Sequence, residues 1–325
     1  MRYVPYHQLG TTDSIIVDGA PHSHTKLTLS HWPGNTTPPA LKHDLSAGIV
    51  LNYLHAPQLH INVEAASNNH FDEDGLIGLW ALLNSEEALE REELLLDVAS
   101  AGDFGVFKDR DAARIAFILK AWTRPDVSPL NQSVFNLPYL EQTMILYEEL
   151  LPRLLNVLDR HEHLEQYWKP EDKLLSKSEE QIRKKEITIE EYPEIDFAVV
   201  TLAKPKPKEI DEQKPWQSLV HEMAIHNKTN MLRILLVHGQ RYKFYYRYES
   251  WVELISRKST GRVDLSQLCR QLSQQEESAV WKADGTNDIT PALFFERATQ
   301  SKISPTALVE QLRSFLASAN TIERT

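Results

Sequence analysis

Apolar and polar positions along this chain follow two different periods, and the places where one gives way to the other mark its elements. Lys26-Leu27-Thr28-Leu29-Ser30 alternates with the period of two that a half-buried strand requires, and Leu41 to Leu54 carries apolar residues at helical spacing. A second strand, loop and helix unit occupies 60–83. There the chain leads from Ile61 into the polar loop Asn68-Asn69-His70-Phe71-Asp72-Glu73-Asp74-Gly75 and on to the apolar run Leu76 to Leu83. After an acidic helix from Ser85 to Glu93, a third unit is expected, with Leu94 to Ala99 as strand, 100–105 as loop and Arg110 to Trp122 as helix. Residues 1–25 show no strong period.

Strands alternating with helices predict a parallel sheet covered by helices, with ligands beyond the carboxyl ends of the strands. The expected fold class is thus α/β, with a second, smaller α/β domain after it. From Leu137 to Trp168 a leucine stripe (Leu150, Leu151, Leu154, Leu155, Leu158) indicates one or two helices. The run from Lys173 to Glu191 is densely charged. Beyond it come a strand at Phe197 to Leu202, the Lys204-Pro205-Lys206-Pro207-Lys208 loop and a helix from Gln217 to His226. A hairpin of Met231 to Val237 with Arg241 to Tyr248 follows, and an amphipathic helix from Ser304 to Ala317 ends the pattern. The domains expected are 1–168, a helical or flexible charged linker at 169–194, and 195–325.

Composition narrows the function classes. The chain has 325 residues, 42% apolar and 25% charged, which suits globular domains with full cores. No run of 18 apolar residues occurs and the N-terminus lacks a signal-peptide core, so a cytoplasmic location is expected. Its single cysteine, Cys269, excludes internal disulfides and a cysteine-rich zinc site, and its spacing fits a buried helix face. A net charge of −11 argues against long duplex nucleic acid as a partner. The segment from His226 to Gln275 nevertheless holds nine basic residues against three acidic ones, so an acidic first part faces a basic later one.

Chemistry concentrates in the central loop. His70, Asp72 and Asp74 alternate, so in an extended loop they present one imidazole and two carboxylates to the same side, the outline of a divalent-metal site. A solvated acidic turn is the plain alternative. A calcium loop of the EF-hand type fails, because Ala81 stands where a bidentate Glu is needed. A phosphate loop fails for want of a Lys-Ser/Thr pair after Gly75. Gly75 is expected to turn the chain sharply and Gly78 to let the helix approach the sheet.

His31, Trp32, Asn35, Thr36 and Thr37 cluster hydrogen-bonding groups, and Lys42, His43 and Asp44 open the following helix near its positive end. This is a seat for phosphate or carboxylate, or else a capping arrangement by Thr37 or Asp44. His221 and His226 are five apart rather than four, which refuses a zinc-protease reading. Arg241 to Trp251, with Arg257, Lys258 and Arg262, alternates Arg and Tyr in a way that suits a phosphate and a stacked base, or a twisted hairpin with surface ion pairs.

The string His70-x-Asp72-x-Asp74-Gly75 at a strand end, running into a small and apolar helix, resembles the first motif of the DHH phosphoesterase superfamily. Such chains are also similar to bacterial proteins of no assigned function. The resemblance implies Mn²⁺ or Mg²⁺ held by His70, Asp72, Asp74 and Asp103, the last in the position of the superfamily's second aspartate motif, with Asp97 as the other carboxylate nearby. The defining Asp-His-His string is absent, the nearest being Asp159-Arg160-His161-Glu162-His163, and so is the Gly-Gly-Gly-His string. The expected function is a metal-dependent phosphoesterase acting on a nucleotide or other small phosphoester. Asp72 and Asp74 would be catalytic, and His31, Asn35, Lys42, Arg247, Arg257 and Arg262 would bind substrate. The alternative is a non-catalytic ligand-binding or scaffold protein on the same fold. Expected partners are a small phosphorylated ligand or short nucleotide and a second copy of the chain, without a membrane.

Overall fold

The computed structural model describes residues 1–203, 216–258 and 260–321; the expected Lys204 to Lys208 loop lies outside them. Two compact units result, one of Met1–Asp172 with Val252–Lys258, the other of Lys173–Trp251 with the chain from 259 onward.

The first unit is built on a four-stranded sheet in the order β1-β4-β2-β3, formed by β1 (Arg2–Tyr3), β2 (Ser14–Val17), β3 (Thr25–Leu29) and β4 (Ala65–Ser67). Every pairing is parallel. Ile15, Ile16 and Val17 are wholly buried, as a central parallel strand demands. The strands are short, and helices supply most of the regular structure. These are α1 (Ser46–Leu54), α2 (Glu73–Leu83), α3 (Ser85–Leu89), α4 (Glu92–Asp103), α5 (Arg110–Trp122), α6 (Tyr139–Leu150) and α7 (Leu154–Arg160). A Cβ on Gly78 would stand 2.9 Å from Val17 Cγ1 and 3.3 Å from Ala47 Cα, so the bare glycine is what lets α2 cross both β2 and α1.

The sequence pattern misled at three places here. Leu94 to Ala99 is not a strand but the middle of α4. A short apolar run has no period of its own, and the buried positions Leu95, Val98 and Ala99 follow helical spacing. The Leu41–Leu54 helix begins only at Ser46, after a 3-10 turn at Pro39–Leu41. Within residues 1–25, read as irregular, lies the central strand β2.

Helix α8 (Glu165–Arg183) runs through the charged stretch expected as a linker, and β5 (Thr188–Tyr192) follows it. The second unit holds a six-stranded sheet, β5-β6-β7-β8-β10-β9, with β6 (Phe197–Thr201), β7 (Arg233–His238), β8 (Arg241–Tyr246), β9 (Val280–Ala283) and β10 (Ala292–Glu296). Among the described residues of this sheet only β6 and β7 pair in parallel. The β7–β8 hairpin turns at Gly239, whose φ of 63° suits glycine. One face is covered by α10 (Ser266–Ser273), which buries Cys269, and α11 (Pro305–Ser318); α9 (Glu222–His226) belongs to the same unit. Among the described residues no helix is long and apolar enough to cross a membrane.

Candidate metal centre

The carboxyl ends of β2, β3 and β4 open onto one point, and each delivers a ligand-type side chain there. Strand β2 ends in Asp18, held in the left-handed region at φ 49°, a conformation Asp tolerates better than most residues. Next to it, a Cβ on Gly19 would fall 2.3 Å from Asn69 Oδ1 and 2.8 Å from Asn68 Oδ1. The turn after β2 therefore interlocks with the turn after β4, and Asn69 Oδ1 accepts from Ala20 N at 2.9 Å. Strand β3 leads through Ser30 to His31, and β4 through Asn68 to His70 and Asp72.

His70 Nε2 lies 2.7 Å from Asp72 Oδ2 and 3.1 Å from Asp18 Oδ2. His31 Nε2 lies 3.4 Å from Asp18 Oδ1, 3.6 Å from Asp103 Oδ2 and 3.9 Å from Asp74 Oδ2. His31 Nδ1 is 2.6 Å from the carbonyl oxygen of Asp44; a carbonyl only accepts, so Nδ1 bears the proton and, in the neutral ring, the Nε2 lone pair faces the carboxylates. Two sets of three ligand atoms, Asp18/His70/Asp72 and Asp18/His31/Asp74, each lie within 4.8 Å of one another and share Asp18; among the described residues no other such set occurs.

The carboxylates have different anchors. Asp72 is the N-cap of α2 and accepts from Gly75 N at 2.8 Å. Asp74 reaches across to α1, where Ser46 N (2.6 Å) and Ala47 N (2.8 Å) donate to its two oxygens. The helix end expected to seat a phosphate or carboxylate, or to be capped by Thr37 or Asp44, thus holds the carboxylate of Asp74. Ser46 Oγ donates to Asp18 Oδ1 at 2.7 Å and accepts from His31 N at 3.1 Å, tying three members together. Asp103 is the last residue of α4 rather than part of a loop, and its Oδ2 is buried without a hydrogen bond.

Burial raises the Asp74 and Asp103 carboxyls well above the usual carboxylate range, and the neighbouring carboxylates push the same way. Asp18 moves oppositely: burial works to raise it, but the charge and hydrogen bonding of His70, with help from His31 and Ser46, lower it. For His70, burial disfavours the charged ring, yet Asp72 and Asp18 outweigh it and raise the imidazole well above its ordinary value. Without a cation the cluster therefore satisfies itself with protons.

Gly75 does not make a sharp turn; it lies in the first turn of α2, and what it provides is room. A Cβ there would meet Asn68 Nδ2 at 2.4 Å and the Tyr147 hydroxyl at 2.9 Å. Asn68 donates to that buried hydroxyl at 2.9 Å and accepts from His70 N at 3.1 Å, fixing the loop from beneath. The ring of Trp32 stands 4.7 Å from that of His70.

Of the residues expected from sequence, His31, His70, Asp72, Asp74 and Asp103 come together, with His31 among the ligand-type groups. Asn35 instead closes its own turn, donating to Trp32 O and accepting from Thr37 N. Lys42 pairs with Glu253 at 2.8 Å. Arg257 is half-buried in the first unit. Arg247 and Arg262 are buried in the second, where Arg247 donates to Thr229 O and Glu249, and Arg262 to Ile289 O, Asp288 O and Ser250 Oγ. His161 faces Asp111 at 3.2 Å and His163 is exposed. His221 caps α9 and His226 meets the Tyr245 hydroxyl. Asp97 accepts from Lys108 N and Asp109 N at the entry to α5.

Sequence reasoning missed Asp18, Ser46, Asn68, Asn69 and Tyr147. The run Ile15-Ile16-Val17 closed by Asp18-Gly19 is an apolar strand ended by a turn pair, and reading it so would have found Asp18.

A family model described as "Family of unknown function (DUF6687)" matches residues 1–324, and the chain belongs to that family. No curated protein and no solved structure matches it.

Proposed function

We propose that this member of the DUF6687 family binds divalent metal, Mn²⁺ or Mg²⁺, in its first unit, and uses it as a phosphoesterase on a nucleotide or other small phosphoester in a cytoplasmic setting. The observation that carries the reading is the pair of ligand triads sharing Asp18 at the carboxyl ends of parallel strands. The carboxylate donors suit both ions, the imidazoles favour the softer Mn²⁺ over Mg²⁺, and the buried Asp103 oxygen without a hydrogen bond is what a cation would satisfy. Metal bound there would supply a water activated near neutral pH and would neutralise phosphate charge.

The chain's own contribution is positional. His31 is kept in the tautomer with Nε2 toward the carboxylates, Ser46 fixes Asp18, and Asn68 with Tyr147 holds the loop that bears His70 and Asp72. His70 and the two raised carboxyls would have to give up their protons for a cation to be held there.

One observation favours a binding protein without catalysis: Lys42, Arg247 and Arg262, three of the four cations expected to hold a phosphate, are engaged by carboxylates or carbonyls of the chain. Assays with generic phosphodiester and nucleotide substrates in Mn²⁺ separate the readings. Asp72→Asn is the informative variant, because Asn remains a good N-cap for α2 while losing the charge. Turnover by the native protein that falls about a hundredfold or more in Asp72→Asn is the expected result. Turnover unchanged by the substitution rejects the catalytic assignment, and tight phosphate-ligand binding without turnover supports the alternative.

A further inference from the structure

Residues 252–258 stand apart from their neighbours in the chain. They are flanked on both sides by stretches of the second unit, yet belong to the first. They lie on the segment that carries His31. Glu253 N donates to His31 O at 2.8 Å, and the Glu253 carboxylate accepts from Lys42 Nζ at 2.8 Å and from Gly34 N at 3.3 Å. Asp44 Oδ1 accepts from Ile255 N at 2.6 Å and from Ser256 N at 3.0 Å.

Asp44 is also the residue whose main-chain carbonyl holds His31 Nδ1. The strap therefore joins the two stretches, 31–34 and 42–44, that fix His31 from its backbone and from its ring. The local bonds of the loop do not do this: Thr37 ties back to Thr28 and Ser30, and Asn35 to Trp32.

We propose that residues 252–258 are a positioning strap for His31, with Asp44 and Glu253 as positioning residues, so that metal binding at the His31 half of the centre and docking of the strap reinforce one another. The proposal rests on the metal-site reading above. It makes the stretch between the two parts of the second unit a participant in the chemistry of the first. Groups that orient a metal-binding histidine from outside the ligand set commonly change metal affinity ten- to a hundredfold. Coupling between two sites is reciprocal, so the metal must stabilise the docked strap by the same factor.

Two measurements on the full chain test it. In Mn²⁺ titrations, Asp44→Ala should bind the ion about tenfold more weakly than native protein, and Asp44→Asn, which keeps the acceptor for the strap amides, should restore native affinity. In hydrogen exchange, Mn²⁺ should slow the amides of Glu253, Ile255 and Ser256. Native protein that binds Mn²⁺ while Asp44→Ala binds it equally well overturns the strap alone. Native protein that binds none overturns the metal site and the strap together. Should Asp44→Ala fail to fold, exchange in the native protein decides, and strap amides indifferent to Mn²⁺ overturn the proposal.

Discussion

Four residues of the centre, Asp18, His70, Asp74 and Asp103, carry a proton balance that ties metal, pH and stability together. Asp74, Asp103 and His70 have folded-state values above their unfolded ones, so the metal-free fold binds extra protons, and the stability they contribute is lost as pH rises through those raised values. Asp18 is lowered, and its contribution is lost instead as pH falls through its folded value. A divalent cation needs the deprotonated forms and so competes with the protons. The increase in melting temperature produced by Mn²⁺ should accordingly widen as pH is raised from about 5 to about 8. Thermal melts across that range check it, and an increment that shrinks with rising pH contradicts the assignment.

The residue scale was also where the sequence spoke most clearly. His70, Asp72 and Asp74 announce themselves by alternation, whereas Asp18 depends on a strand only four residues long. Ser46 and Tyr147 carry no local mark at all, because their roles depend on partners 28 and 79 residues away in the chain.

At the scale of elements, the centre is a junction of helix ends as much as of strand ends. Helix α1 has no side-chain cap of its own; the two amides at its start are served by Asp74 from α2. Asp74→Ala should therefore cost about 2 kcal/mol or more, since it leaves two buried N–H groups without an acceptor. The expected reading is a lower denaturation midpoint with an unchanged denaturant slope, measured without metal. A loss below about 0.5 kcal/mol would mean that Asp74 does not hold α1. Long periodic segments such as α5 and α11 were legible within a residue or so of their bounds. The failures were short apolar runs: Leu94 to Ala99 fits either period when taken alone, and only the burial of α4 against its neighbours decides for helix.

For the whole molecule, alternating elements were enough to predict a parallel sheet with a second α/β part. The charged run after Trp168 was expected as a helical or flexible linker; α8 continues through it and β5 forms an edge of the second sheet. Nor does any sequence pattern show that 252–258 belongs with the first unit, since that membership rests on long-range bonds to His31 and Asp44. The central claim is that one aspartate at the end of β2 serves two ligand sets, and counting bound metal tests it most directly. Equilibrium binding of Mn²⁺ to native protein and to Asp18→Asn, which keeps the left-handed turn and an acceptor for Ser46, should give about two ions per chain for the native protein and strongly weakened binding of both in the variant. A native chain that binds no Mn²⁺ at millimolar concentration, or an Asp18→Asn chain that binds it as the native does, contradicts the account.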